Sequence, residues 1–281
     1  MTLREFLGNV GIIFAVMGVL ALVEAAVPLF ARGERSRGRA RANLGLSALT
    51  LVLNWAMSAL AAAVALRAEL DGRGSLVQAV LPLPAAVAAT VLTLDLCTYV
   101  AHRGMHSLPF LWRAHRVHHG DPFLDVTSTL RQHPLEGLWR FLWIIVPTWA
   151  LGLPALGVVI YRLLSVLQGL LEHANLRVWR PLDRALSLAW VAPDMHKVHH
   201  SRAREETDSN YGNLLALFDR ALGTFTPSER ARDVVYGLDD VDSVTARSLR
   251  GLLALPFAAP GRIGWADEPR ARGTAGLGRS E

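Results

Sequence analysis

His115-Arg116-Val117-His118-His119 and His196-Lys197-Val198-His199-His200 are near-copies of one another, and His102-Arg103-Gly104-Met105-His106 stands just before the first. These boxes hold eight of the ten histidines; the other two, His133 and His173, lie between the copies. On a helix, residues at i, i+3 and i+4 share one face. The spacing therefore turns His115, His118 and His119 the same way, likewise His196, His199 and His200, and pairs His102 with His106. Three converging imidazole clusters have the spacing to hold one or two transition-metal ions. Imidazole suits iron, zinc, copper or nickel, and Cys97, the only cysteine, offers no competing thiolate cluster. A single H-x-x-H or H-x-x-x-H is more often a surface or helix-end pair. A repeated H-x-x-H-H with an H-x-x-x-H beside it is far more specific.

The chain around the boxes is apolar: 52% of its 281 residues are hydrophobic, which directs the search to membrane spans before any soluble fold. The net charge of +5 is carried almost wholly by arginine, since Lys197 is the only lysine. Residues 5–30 are apolar apart from Glu5, Asn9 and Glu24 and exceed the roughly 20 residues needed to span a bilayer. Their length, and the arginine-dense stretch 31–41 that follows, favour a span over a cleaved leader. The positive-inside rule puts that stretch in the cytoplasm. No aromatic residue interleaves its arginines, so nucleic acid is not an expected partner.

Residues 43–66 and 77–101 make two further spans, the second returning the chain to the cytoplasmic side at His102. Residues 107–137 are polar enough to lie outside the hydrocarbon. Residues 138–171 are again apolar, tight for two full spans, and fit two short or tilted helices or a re-entrant hairpin. Residues 172–227 read as a cytoplasmic cap. The expectation is an all-α, multi-pass membrane protein with four or five apolar helical segments, a single domain over 1–256, and a Pro-, Gly- and Arg-rich disordered tail over 257–281.

Asp95 is the odd residue of the third span. It precedes His102 by seven, two helical turns, and shares its face. An acid inside a span is a functional candidate. The expected role is to accept a hydrogen bond from a ligand histidine's other ring nitrogen and so fix its tautomer; pairing with an arginine near the headgroups is the alternative. Asp208, Asn210 and Tyr211 are read as bracing the third box, with Glu136, Glu172 and Asp194 as further acids behind the ligands.

The stretches Asp95–His106, Leu108–His119, Arg131-Gln132-His133-Pro134-Leu135-Glu136, Pro193–Ser201, Asp208–Asn213 and Phe218–Phe225 resemble, in order, the fatty acid hydroxylase / sterol desaturase superfamily, over roughly residues 90–227. The resemblance implies an integral membrane protein whose boxes hold two iron ions at the cytosolic side and which hydroxylates or desaturates a lipid with O2. It implies His102, His106, His115, His118, His119, His196, His199 and His200 as ligands, with His173 of Glu172-His173-Ala174-Asn175 as a further one. His133, in its His-Pro-x-Glu setting, is a ligand or a residue behind the ligands. No catalytic residue beyond the ligands is implied. The partners implied are a lipid drawn from the bilayer, membrane lipids, and an electron donor on a separate protein.

The chemistry suits the residue types. Breaking an unactivated C–H bond with O2 needs a redox metal; zinc, which can substitute in purified protein, offers only Lewis-acid or hydrolytic work. Two other classes compete: a histidine-rich membrane metal transporter or metal-binding protein, and a metal-dependent hydrolase at the membrane surface. Transport ligands belong within spans at mid-bilayer, whereas these boxes follow a span or lie in polar stretches. Ser201 lacks the glycines of a nucleophile elbow.

Overall fold

The computed structural model describes residues 3–33, 37–72 and 80–258, with backbone alone for 3–7 and 9. The tail expected to be disordered lies outside the described residues from 259 onward, as do 34–36 of the arginine-rich stretch and 77–79 of the third apolar run. The described residues are helical, with no strand among them and only two isolated bridges, Pro28 with Leu176 and Trp190 with Leu215.

Four long helices form a bundle: α2 (Ala40–Leu70), α3 (Leu83–Ser107), α5 (Pro134–Leu151) and α6 (Ala155–His173), preceded by α1 (Leu3–Ala26), with α4 (Pro109–His119) following α3. Proline opens α4 and α5, where its missing N–H costs nothing. Gly152, left-handed at φ 60°, closes α5 and turns the chain into α6. The 138–171 stretch is thus two helices joined by a tight turn. α2 and α3 each pack against α5 and α6. α3 and α6 approach closely because Gly157 leaves room: a Cβ there would lie 2.7 Å from Thr90.

Three helices, α2, α3 and α6, are long and apolar enough to cross a membrane; the apolar run Val10–Ala26 of α1 is shorter. Their surfaces are inverted relative to a water-soluble bundle. Leu92, Leu96, Val100, Val159 and Leu163 are exposed, while Asn43, Ser47, Thr90, Asp95 and Gln168 are buried. An apolar outer face around a polar interior is what a hydrocarbon solvent selects. At about 1.5 Å per residue, the 25 residues of α3 exceed the roughly 30 Å hydrocarbon core. Its last turns, carrying His102 and His106, can therefore stand at the rim.

The shorter helices gather where α3 and α6 end: α4 against α3, and α8 (Pro193–His199) against α6, with α7 (Arg180–Leu186) beside α8. Then come α9 (Arg204–Thr207), α10 (Leu217–Ala221), α11 (Ser243–Ala246) and α12 (Leu249–Ala254). The segment 120–131 is pinned by a buried polar knot. Arg39 pairs with Asp121 at 2.7 Å and with Asp125, while Asn43 and Ser128 also donate to Asp121. Arg131 caps the C-terminal end of α4 through the Val117 carbonyl and also reaches Asn43 and the Ala246 carbonyl. Arg39 belongs to the arginine-dense stretch 31–41, yet it is 1% exposed.

Candidate metal centre

Nine histidines converge in two groups, one of His102, His106, His115, His119 and His199, the other of His118, His173, His196 and His200. All nine are buried, and within each group one nitrogen per ring lies within 4.8 Å of the others. α4 and α8 are shared between the groups in a reciprocal way. α4 gives its i and i+4 histidines, His115 and His119, to the first group and its i+3 histidine, His118, to the second. α8 with its cap does the reverse, giving His196 and His200 to the second and His199 to the first. α3 then completes the first group and the end of α6 the second. The sequence spacing had grouped each box together. A helix turns 100° per residue, so i+3 and i+4 straddle a line and can serve neighbours on either side of it.

The outward hydrogen bonds of the rings determine what the inward nitrogens can do. His102 Nδ1 lies 2.9 Å from the Tyr211 carbonyl, His173 Nδ1 2.7 Å from that of Gly169 and His199 Nδ1 2.7 Å from that of Ser209. A carbonyl only accepts, so each Nδ1 carries the proton and each Nε2 presents a lone pair. Thr207 Oγ1 donates to the His199 carbonyl at 2.8 Å, which leaves it to accept from His119 Nδ1 at 3.3 Å. His106 Nδ1 faces Asp208 at 3.4 Å and His115 Nδ1 faces Glu136 at 3.2 Å.

Inside the groups, Nε2 meets Nε2. His115 stands 3.2 Å from both His102 and His119; His173 stands 3.0 Å from His118 and 3.1 Å from His196, which is 3.1 Å from His200. For His102, His115 and His119, whose Nδ1 atoms face acceptors, this sets lone pair against lone pair, which is repulsive unless a cation lies between. Two nitrogens each about 2.1 Å from one ion are about 3.0 Å apart at a right angle and about 3.4 Å apart at a tetrahedral angle. The observed spacings fall in that interval. His106 Nε2 and His199 Nε2 are buried with no hydrogen-bond partner, as donors reserved for an ion would be. Burial, and then neighbouring imidazoles, holds His115, His118, His119, His196, His199 and His200 well below the ordinary imidazole range, so these rings are neutral at pH 7, the form a metal binds. The donor set fits two metal ions.

His133 is placed differently. Its Nδ1 accepts from Leu135 N–H at 3.2 Å, capping α5, and its Nε2 lies 3.3 Å from the Leu253 carbonyl, to which it donates. Both nitrogens are thus used, and His133 lies outside both groups. Asp95 contacts backbone instead of an imidazole: its oxygens accept from Leu214 N–H and Leu215 N–H at 3.0 Å and from Asn213 at 3.4 Å. Seven residues of helix rise about 10 Å, too far for a direct contact with His102. Asp95 instead secures the loop whose Tyr211 carbonyl orients that ring. Asn210, left-handed at φ 55°, ties the same loop to the Met195 and Thr226 carbonyls.

Three supporting residues were given no role from the sequence, although Ser209 and Asp219 lie in stretches that carry the resemblance. Thr207 links the two boxes, Ser209 supplies a carbonyl, and Asp219 accepts from Tyr211 N–H and Gly212 N–H, both at 2.8 Å. Ser and Thr are common beside any turn, and a backbone carbonyl has no sequence signature. Only their place after the third box hints at a role. Glu172 sits 3.7 Å from His196 Nε2 and accepts from Gln168, while Asp194 lies at the start of α8.

Glu136 is the fully buried carboxylate against a first-group ring, Asp208 beside His106 being partly exposed, and its other oxygen accepts from Arg140 at 3.0 Å. Glu136→Gln keeps the shape and removes the charge that supports His115 as a donor. Metal affinity or activity is expected to fall about 10–100-fold, the usual loss for a residue behind a ligand. Titration of the metal-free variant checks this, and wild-type affinity would reduce Glu136 to a partner of Arg140.

Residues 87–224 match the fatty acid hydroxylase family. The ornithine lipid hydroxylase OlsE of Rhizobium tropici is 33% identical over 165 residues, 58% of this chain and 48% of that protein. The alkylglycerol monooxygenase of Danio rerio is 32% identical over 148 residues, 52% of this chain and 31% of that protein. The very-long-chain aldehyde decarbonylase GL1-9 of Oryza sativa subsp. japonica is 30% identical over 145 residues, 50% of this chain and 55% of that protein. The chain spans about a third to a little over half the length of these relatives. No solved structure matches. The matched segment contains all nine clustered histidines. Residues 87–224 are a fatty acid hydroxylase domain.

Proposed function

We propose that this chain is a membrane-bound di-iron oxygenase that hydroxylates or desaturates a lipid, using O2 and electrons from a separate protein. The observation that carries the proposal is the pair of buried, inward-facing histidine clusters at the end of an apolar bundle. Lipid-acting oxygenases among the relatives support the same direction. A bound iron pair would supply the redox chemistry that breaks a C–H bond.

The protein's own residues provide what that chemistry needs. His102, His106, His115, His119 and His199 would hold one ion, and His118, His173, His196 and His200 the other. Tyr211, Gly169 and Ser209 carbonyls fix the rings so that no proton competes for the metal-facing nitrogen. The bundle interior beside the histidines excludes bulk water, and its apolar outer face allows a lipid to approach from the bilayer. The arginines after α1, together with the parity of the helices, support a metal site on the cytoplasmic side. The domain is read as running over 1–256.

Lipid extracts from cells with and without the chain, grown in air and under anoxia, test the function. Oxygenated or newly unsaturated lipids are expected only with the chain, only in air, and only with iron restored after chelation. Product formation under anoxia, or an unchanged lipid profile in air, would overturn it. Cysteines placed at the exposed Ser107 and Glu205 in the same cells report sidedness. Labelling from outside would reverse the orientation.

A further inference from the structure

A cavity of about 90 Å³ lies between the helices against the second group of histidines and His102 of the first. His118, His173 and His196 border it, and it runs along α6 past Gly169 and Ser165 to Arg162. Positions 162, 166, 169 and 173 recur at helical spacing, so one face of α6 lines it from Arg162 to His173. Across that span the helix rises about 16 Å. A channel for a plain hydrocarbon chain needs only apolar walls. This one also presents Asn54, Gln132, Arg140, Asn213 and, at its histidine end, the carboxyl of Glu172, polar groups that are costly to hold inside a membrane bundle without a purpose.

The two arginines differ in a decisive way. The charge of Arg140 is answered by Glu136. Arg162 gives its Nε to Ser58 Oγ at 3.0 Å and pairs with no carboxylate among the described residues. Its terminal nitrogens Nη1 and Nη2 make no hydrogen bond among those residues. A guanidinium stays charged at any physiological pH, and a lone charge within a span is expensive. An oxyanion, carboxylate or phosphate, would match its fork with two parallel hydrogen bonds.

We propose that Arg162 binds the oxyanion of an acidic lipid, whose chain then runs along α6 toward the histidines. Arg162 is a specificity residue, distant from the metal ligands. It fixes one end of the substrate, so the carbon presented to the centre is counted from the acid end. The proposal rests on the lipid reading above, but its test does not use turnover.

Binding of palmitate, hexadecyl phosphate and hexadecanol to the purified, metal-loaded protein is measured by native mass spectrometry without reductant. These probes share one chain and differ in the head. At least one acid is expected to bind about 10–100-fold tighter than the alcohol, the worth of a hydrogen bond to a charge; the tighter of the two names carboxylate or phosphate. Arg162→Gln should abolish that preference and leave hexadecanol binding and metal content unchanged. Arg162→Lys, which keeps the charge but loses the fork, should retain part of it. Equal binding of acids and alcohol by the wild type would overturn the proposal. So would an acid preference that survives in Arg162→Gln. If Arg162→Gln does not fold, the wild-type comparison and Arg162→Lys decide. A chain with an Arg162-dependent preference that oxidised no lipid in air would retire the oxygenase reading alone.

Discussion

His118→Ala is expected to leave at most one bound ion against the two proposed for the wild type, and to lower O2-dependent turnover by more than about 100-fold, beyond the loss that follows removal of a residue behind a ligand. His118 stands in sequence beside His119, yet its Nε2 is 3.0 Å from that of His173, in the other group. Its removal leaves the second group with three rings and keeps the first intact. His133→Ala is the matched control. It removes a helix cap at a cost of about 1 kcal/mol and should retain both ions and turnover. Elemental analysis of both variants, purified identically, reads the outcome. Loss of an ion from His133→Ala with two retained in His118→Ala would invert the assignment of the groups.

Arg39→Leu is expected to destabilise the fold by about 3–5 kcal/mol, because it strands two carboxylates that its guanidinium holds out of water. Asp121 and Asp125 are both buried, and Asp121 also receives Asn43 and Ser128. Arg39→Lys keeps a charge without the fork and should lose less. Denaturant unfolding of the protein in detergent measures both. An Arg39→Leu variant within about 1 kcal/mol of wild type would mean that water reaches the two acids; the cost assumes it does not. The effect should extend to the metal centre, since Asp121 follows the second box almost directly.

The boxes were legible because imidazoles at i, i+3 and i+4 have few other reasons to recur. The helices were legible because apolar runs of this length have one economical solution in a bilayer. What each histidine faces was not. His118 and His119 are neighbours that diverge by 100°, and only the position of α6 and α8 decides which ring joins which group. Asp95 could be singled out as an acid in a span, but its partners are backbone N–H groups of a loop more than a hundred residues later, which no spacing encodes. Arg39 looked like one arginine among many in a basic loop. Its burial depends on two aspartates beyond α4. His133 shared the residue type and setting of a ligand, and it is the hydrogen bonding of both its nitrogens that sets it apart.

The reciprocal sharing of α4 and α8 has a consequence for how the protein is made. Neither group can close until the ribosome has passed His200, because the first group needs His199 and the second needs His196 and His200. Every long helix of the bundle lies upstream of that point, so the bundle must enter the bilayer as an apo chain carrying converging lone pairs. On the proposed di-metal reading the ions would arrive last, joining the first half of the chain to the second across a loop that chain entropy alone would keep open. Iron starvation should therefore yield a chain that is inserted but unlatched, with its late segments α8 to α10 open to protease while the bundle stays resistant.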